Sequence, residues 1–316
     1  MNPYVFIVGC PRSGTTLLQR MADAHPDVAI VFETHWIPRW FEKRRGLTPD
    51  GMVTDELARR LFEDRRFKNL KVGHEEVERL ISSSEPMPYP AFVTALFDLH
   101  GKVKGKRFVG DKTPAYVRSI PTLHALFPGA RFVHIVRDGR DVALSVANWD
   151  RADSAAGRFA TWDEDPVATT ALWWEWNVRL GREDGEVLGP ELYHEMHYEK
   201  LVSEPDEESA ALCGFLGVPY NDAMMRFYEG REKANPGLDA KKAWHPITPG
   251  LRDWRSQMTL DDIERFEAAA GDLLDELGYL RAVSNPPQEK LVNATRIHHA
   301  FTQEIRTKGK RLPEHW

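Results

Sequence analysis

Residues Gly9-Cys10-Pro11-Arg12-Ser13-Gly14-Thr15-Thr16 bring two glycines, a guanidinium and three hydroxyls into one short stretch. Glycines let a chain curl until successive amide N–H groups point at one anion. A helix starting after the curl adds about half a positive charge at its N-terminus. Arg12 supplies a planar donor fork, and Ser13, Thr15 and Thr16 supply hydroxyls. The frame is that of a phosphate loop, G-x-x-x-x-G-K-[ST], with Thr15 where the lysine belongs and the cation displaced to Arg12. ATP hydrolysis uses that lysine on the β- and γ-phosphates, so ATP chemistry here lacks its main cation. The plainer alternative is a helix start that happens to contain glycine and threonine.

Such a loop must lie between a strand and a helix. Tyr4-Val5-Phe6-Ile7-Val8 has the β-branched and aromatic character of a buried strand, and Leu17, Leu18, Met21 and Ala22 fall at helical spacing before Pro26. Further strands are expected at 28–32, 107–110, 131–136 and 192–198. Helices are expected at 137–148, 167–183, 207–216 and 260–277, the last with Ile263, Phe266, Leu273, Leu274 and Leu277 as core positions. Residues 35–100 read as mostly helical, broken at 82–90, and residues 282–316 as an appended tail, helical from 288 to 306. Alternating strands and helices predict an α/β fold with a mainly parallel sheet flanked by helices. Ligands in such sheets gather beyond the carboxyl ends of the strands, which directs attention to 9–14, 33–35, 111–114 and 137. The expected organisation is one domain over 1–281, with a helical cap at about 35–105, and a C-terminal extension over 282–316.

With 316 residues the chain suits one large domain or two small ones. Its composition, 42% apolar and 28% charged, is that of a globular protein. The net charge of −6 and pI near 6.1 argue against nonspecific nucleic-acid or anionic-membrane binding. Two cysteines, Cys10 and Cys213, cannot form a disulfide framework. The N-terminus lacks a basic region ahead of its short apolar run, and no stretch is long enough to span a bilayer, so the expectation is a cytoplasmic protein without a membrane span. No zinc motif is present, because His194-Glu195-Met196-His197 has the wrong spacing, and no metal is expected. Cys10 lacks the arginine six residues later that a cysteine phosphatase loop carries, and Gly-x-Ser-x-Gly is absent around Ser13.

Pro11-Arg12-Ser13-Gly14-Thr15-Thr16-Leu17-Leu18 resembles the 5′-phosphosulfate loop of the sulfotransferases that use 3′-phosphoadenosine 5′-phosphosulfate (PAPS). The arginine form of the loop is similar to that of the protein-tyrosine sulfotransferases and many bacterial sulfotransferases. Asp23-Ala24-His25-Pro26-Asp27-Val28 and Glu33-Thr34 extend the likeness to the tyrosine enzymes. Val136-Arg137-Asp138-Gly139-Arg140-Asp141-Val142-Ala143-Leu144-Ser145 looks like the family's 3′-phosphate motif, in which Arg137 forks onto the phosphate and Ser145 donates its hydroxyl. Two phosphate-binding elements in this order fit PAPS, which has a 3′-phosphate that ATP lacks.

The resemblance implies a role for several further residues. Glu33, just after the second expected strand, matches the base that takes the acceptor's proton; a helix cap is the bland alternative. His35 departs from the arginine of the tyrosine enzymes and gives the Glu-x-His pattern of heparan-sulfate sulfotransferases, either assisting the acceptor or merely opening a helix. Lys112 matches a lysine facing the bridging oxygen of PAPS, and Arg12 joins it in neutralising the sulfuryl oxygens. Tyr198 matches a late segment that touches the nucleotide. Leu251-Arg252-Asp253-Trp254-Arg255 looks like the segment that closes over PAPS, but the Arg-Lys-Gly triplet of the cytosolic animal enzymes is missing, leaving Arg252, Arg255 or Lys242 to replace it.

The implied reaction is sulfuryl transfer from PAPS to an acceptor hydroxyl, releasing adenosine 3′,5′-bisphosphate. A small molecule, lipid or glycan is the leading acceptor and a peptide tyrosine the second. Trp36, Trp40 and Phe41 offer either an acceptor wall or core packing. The other function classes are a P-loop nucleotide kinase and a non-catalytic nucleotide-binding protein.

Overall fold

The computed structural model describes residues 4–82, 86–229, 246–247 and 252–316. Val5-Phe6-Ile7-Val8 forms β1 (Val5–Val8), buried along its whole length. Side chains alternate across a strand, so this run needs an apolar layer on each face. Val5 and Ile7 enter a core with Leu18, Met21 and Leu212, while Phe6 and Val8 enter one with Trp36, Phe97 and Tyr116. Around β1 stand β2 (Val28–Phe32), β3 (Phe108–Lys112), β4 (Arg131–Val136) and β5 (Tyr193–His197). They form a parallel sheet in the order β2-β3-β1-β4-β5. The sheet is flanked by helices, as the strand–helix alternation predicts.

That order fixes the place of any site. The loop after β1 emerges mid-sheet, with the end of β3 on one side and the end of β4 on the other. Ile7 lies beside Lys112, and Val8 beside His134, two residues before the end of β4. The expected turn at 111–114 begins later than the sequence suggests. Asp111 and Lys112 belong to β3, because pairing with β2 continues through Phe32 opposite Lys112.

The helices are α1 (Thr15–Ala24), α2 (Ile37–Glu42), α3 (Asp55–Glu63), α4 (His74–Ile81), α5 (Tyr89–Lys104), α6 (Ile120–Leu126), α7 (Gly139–Ala147), α8 (Pro166–Leu188), α9 (Tyr198–Ser203), α10 (Pro205–Leu216), α11 (Trp254–Gln257), α12 (Leu260–Glu276) and α13 (Gln288–Thr307). Helices α2 to α5 share the core of Phe6 and Val8. Trp36 and Trp40 lie in that core with rings 5.0 Å apart, and Phe41 stacks on Tyr89. The acceptor wall offered by these aromatics is therefore core packing, as their helical spacing also allowed.

A third core joins α7, α8, α12 and α13. Ile297, Phe301 and Ile305 recur along one stripe of α13 and are fully buried against this core. Residues 282–316, expected as an appended tail, thus contribute to packing around Trp176. Short 3₁₀ turns between Ala152 and Asp163, which the sequence pattern did not reveal, line the same core.

Candidate active site

Gly14 ends the loop at φ 94°, a left-handed conformation that glycine adopts without strain, and the N-terminus of α1 opens onto the loop. A Cβ on Gly14 would lie 2.3 Å from the Tyr198 ring, so the glycine also permits a close approach. Ser13 is buried and its Oγ has no hydrogen-bond partner among the described residues. Of the five described non-glycine residues with left-handed backbones, three stand here, Arg12 (φ 79°), Glu33 (φ 52°) and His35 (φ 56°); Arg44 and Lys71 lie elsewhere. Each costs on the order of 1–3 kcal/mol, strain of the kind that gathers where side chains must be aimed.

The loop and the helix after β4 meet. Arg12 Nε donates to Ser145 Oγ at 2.9 Å, and the Arg12 guanidinium lies 5.0 Å from the centre of the Trp149 ring. Arg137, buried at the end of β4, donates to Asp141 Oδ2 at 3.0 Å and lies 4.2 Å above the Tyr198 ring. Its Nε has no partner among the described residues. Burial lowers the Arg12 pKa, and the neighbouring Arg252 and Arg137 guanidiniums lower it further against the pull of Glu33. Three neighbouring guanidiniums, one with an unpartnered N–H, beside a loop that carries an unpartnered hydroxyl are suited to anionic oxygens. A nucleotide with phosphates at both ends fits this donor set.

Arg12 points elsewhere than expected. Its guanidinium faces Ser145, on the helix after β4, rather than joining Lys112. Tyr198 packs between Gly14 and Arg137 and braces both. Trp254 is buried against Arg140, its ring centre 3.6 Å from the guanidinium, and its backbone N–H donates to Asp141 Oδ1 at 2.9 Å. The 252–255 segment is thereby tied to the helix that carries Ser145. Pro11, Thr15 and Thr16 lie in the loop and the first turn of α1 as expected. Lys242 lies outside the described residues.

The second half of the site is carried by the ends of β2 and β3. Glu33 N–H donates to the Lys112 carbonyl at 2.9 Å, continuing the ladder, while Lys112 Nζ donates to Glu33 Oε1 at 2.6 Å and to Thr16 Oγ1 at 3.4 Å. The Lys112 side chain is fully buried, its ammonium 3.8 Å from the Phe32 ring centre. His35 Nε2 lies 3.1 Å from Glu33 Oε2. Burial works to raise the Glu33 pKa, but Lys112 and then His35 outweigh it and hold the carboxyl at about 2. Lys112 therefore reaches both the loop helix and the carboxylate.

Behind Glu33 stands a bracket that sequence reasoning missed. Thr34 N–H donates to Asp111 Oδ2 at 3.1 Å, Thr34 Oγ1 bonds the Tyr116 hydroxyl at 2.7 Å, and Ile37 N–H donates to that hydroxyl at 3.0 Å. Burial raises the Asp111 pKa to about 6, against the pull of its bonds to Thr34. This bracket fixes the peptide after Glu33 and the entry to α2. Trp149 and Asp141 were likewise not singled out as site residues. Asp141 stood four residues after Arg137, the spacing of a helical ion pair, but Trp149 carried no motif.

A parallel sheet with a glycine-rich loop at its centre, an arginine–serine arm beside it and a carboxylate–lysine pair is an arrangement suited to group transfer. The model for the sulfotransferase family matches residues 3–222, and the chain belongs to that family. It is 29% identical to protein-tyrosine sulfotransferase 1 of Danio rerio over 294 residues, 90% of this chain and 74% of that protein. It is 26% identical to a putative protein-tyrosine sulfotransferase of Caenorhabditis briggsae, over 89% of this chain and 91% of that protein. The sulfotransferase domain of the olefin synthase of Synechococcus PCC 7002 matches with a TM-score of 0.58 at 25% identity, over 88% of this chain and 95% of that one. The sulfotransferase domain from the curacin biosynthetic pathway shares the fold, with a TM-score of 0.53 at 19% identity over 99% of both chains. Among the described residues, no helix is long and apolar enough to cross a membrane.

Proposed function

We propose that this sulfotransferase moves a sulfuryl group from PAPS to an acceptor hydroxyl, with Glu33 as the base. The observation that carries the reading is the meeting of two anion-binding arms, Arg12 Nε 2.9 Å from Ser145 Oγ, beside a carboxylate held by Lys112 at 2.6 Å. PAPS supplies an activated sulfuryl group and, at its far end, the 3′-phosphate. Arg137, Ser145 and Arg12 hold that phosphate, while Ser13, Gly14, Thr15 and Thr16 turn their amides and hydroxyls to the 5′-phosphate. Arg252 adds positive charge next to Arg12.

Glu33 takes the acceptor proton as the acceptor oxygen forms its bond to sulfur and the sulfur–oxygen bond to the nucleotide breaks in line. Lys112 faces the negative charge that accumulates on the departing phosphate oxygen. Leaving Glu33 for that oxygen would strengthen the base at the moment it is used, because the ammonium is the main influence holding the Glu33 pKa down. His35 orients Glu33 or the acceptor from 3.1 Å.

The acceptor is a small molecule, lipid or glycan in the first reading, supported by His35 standing where the tyrosine enzymes carry arginine. A peptide tyrosine is the second reading, supported by the likeness to the protein-tyrosine sulfotransferases. Labelled PAPS incubated with acceptors of each class tests transfer and identifies the acceptor. Thermal shifts with adenosine 3′,5′-bisphosphate against ATP–Mg²⁺ test the nucleotide: stabilisation by ATP–Mg²⁺ alone would overturn the reading in favour of a kinase.

A further inference from the structure

A second group of cations lies apart from the nucleotide arms, behind the loop on the α8 side. Arg118 ends the short turn after β3 and is half-buried. It bonds the buried amide oxygen of Asn177, and its guanidinium lies 4.9 Å from the centre of the Trp176 ring. Trp176 Nε1 in turn donates to the Arg311 carbonyl at 2.9 Å, which brings the chain around Lys310 to the same ring. Phe159 meets Trp176 edge-on with ring centres 6.1 Å apart, and Arg158 and Lys308 lie 5.1 and 5.0 Å from the Phe159 ring centre. Three chain segments, distant in sequence, thus deliver cations to one aromatic pair.

These charges are compensated only in part: Glu304 acts on Arg158 and Glu42 on Lys310, but neither carboxylate closes an ion pair with them. Lys308 is paired with Glu304, but Arg118, Arg158 and Lys310 have no ion-pair partner among the described residues. Burial and Arg158 lower the Arg118 pKa to about 10, against the pull of Cys10. Burial, then Arg118 and Arg158, lower the Lys310 pKa, with Glu42 opposing. Arg158 thus acts on both Arg118 and Lys310, while Glu304 is shared between Arg158 and Lys308, so the group carries more positive charge than carboxylate. Cys10 belongs to the phosphate loop, and Glu42 ends the helix that begins beyond Glu33, so the cluster flanks the reaction centre without sharing a residue with it.

We propose that Arg118, Arg158 and Lys310 form a second oxyanion-binding site, which takes a carboxylate, sulfate or phosphate group while the nucleotide site is filled. Arg118 offers its remaining guanidinium N–H groups from a base fixed by Trp176 and Asn177, and the exposed Arg158 and Lys310 close over the anion from the 3₁₀ turns and the C-terminal segment. The anion arrives either free or as a substituent of the acceptor. The site's position beside the loop rests on the sulfotransferase reading only in the second case.

The test uses the full chain saturated with adenosine 3′,5′-bisphosphate. Sodium sulfate is titrated in by calorimetry against sodium chloride of equal ionic strength. The expected result is one sulfate bound per chain, weakened at least tenfold in the double variant Arg158→Glu and Lys310→Glu. Both positions are exposed, so the variant keeps its fold, and its affinity for the bisphosphate stays within twofold. No sulfate binding beyond chloride, or equal binding by the variant, overturns the proposal. Failure of the bisphosphate to bind would instead overturn the nucleotide assignment above. In turnover assays, sulfate competing with the acceptor supports a substituent of the acceptor as the natural anion, and sulfate acting without such competition supports a free one.

Discussion

Lys112 Nζ lies 2.6 Å from Glu33 Oε1, with the lysine side chain fully buried and the glutamate 30% exposed. A buried ammonium needs this carboxylate, and removing one member of such a pair leaves the other uncompensated. Glu33→Gln should therefore lower the melting temperature as well as the rate. Turnover is expected to fall about 10²–10⁴-fold, the usual worth of a positioned base, with bisphosphate affinity nearly unchanged. Steady-state rates with labelled PAPS and a bisphosphate titration check this. Wild-type turnover in the variant excludes Glu33 as the base.

The same pair sets a pH dependence of stability. The folded Glu33 pKa of about 2 lies below its ordinary value of 4.5. The pair's contribution is thus fully present above pH 4.5 and is lost as pH falls from there towards 2. Lys112→Met removes the main charge that depresses the carboxyl and leaves burial to raise it against His35 alone. The acid limb of kcat/KM should move to higher pH in Lys112→Met, and its plateau should fall. A limb at the wild-type position would separate Glu33 ionisation from Lys112.

Arg137→Ala should discriminate between the two ends of the nucleotide. A hydrogen bond to a charged group contributes about 1.5–3 kcal/mol, so affinity for adenosine 3′,5′-bisphosphate should weaken roughly 10- to 150-fold. Adenosine 5′-monophosphate, which lacks the 3′-phosphate, should bind both proteins alike. Calorimetric titration of the two nucleotides measures the difference directly. Equal weakening for both would assign Arg137 to the 5′-phosphate or to the support of Tyr198, which it overlies at 4.2 Å.

Much of the fold was legible because its strands are short apolar runs. Val28–Phe32 and Arg131–Val136 occupy the residues the pattern marked. The end of β3 was hidden, since Asp111 and Lys112 are polar and only pairing with β2 makes them strand. The loop and the arginine–serine helix were visible as local motifs. What they do to each other was not: whether Arg12 turns to Ser145 or to Lys112 depends on packing across 133 positions of sequence separation. Tyr198 wedged between Gly14 and Arg137 is of the same kind. The stripe of Ile297, Phe301 and Ile305 was present in the sequence, but its counterpart around Trp176 lies on α8, so the stripe alone could not reveal a shared core.

Asp111 offers a test of the bracket behind Glu33. Its folded pKa of about 6 lies above the ordinary 3.8. A carboxyl whose folded pKa is raised contributes stability below its unfolded value, and that contribution is lost as pH rises through the folded value. Between pH 3.8 and 6 the wild type should therefore lose at most about 3 kcal/mol from this group, two pKa units being near that figure. Asp111→Asn removes the titration and keeps an oxygen able to accept from Thr34 N–H. The stability difference, variant minus wild type, should become more positive as pH rises from 4 to 7 and then level off. Urea denaturation across that range measures it. A difference independent of pH would mean that Asp111 does not change protonation in this interval, and the fixed entry to α2 would then need another account than a buried carboxyl bonded to Thr34.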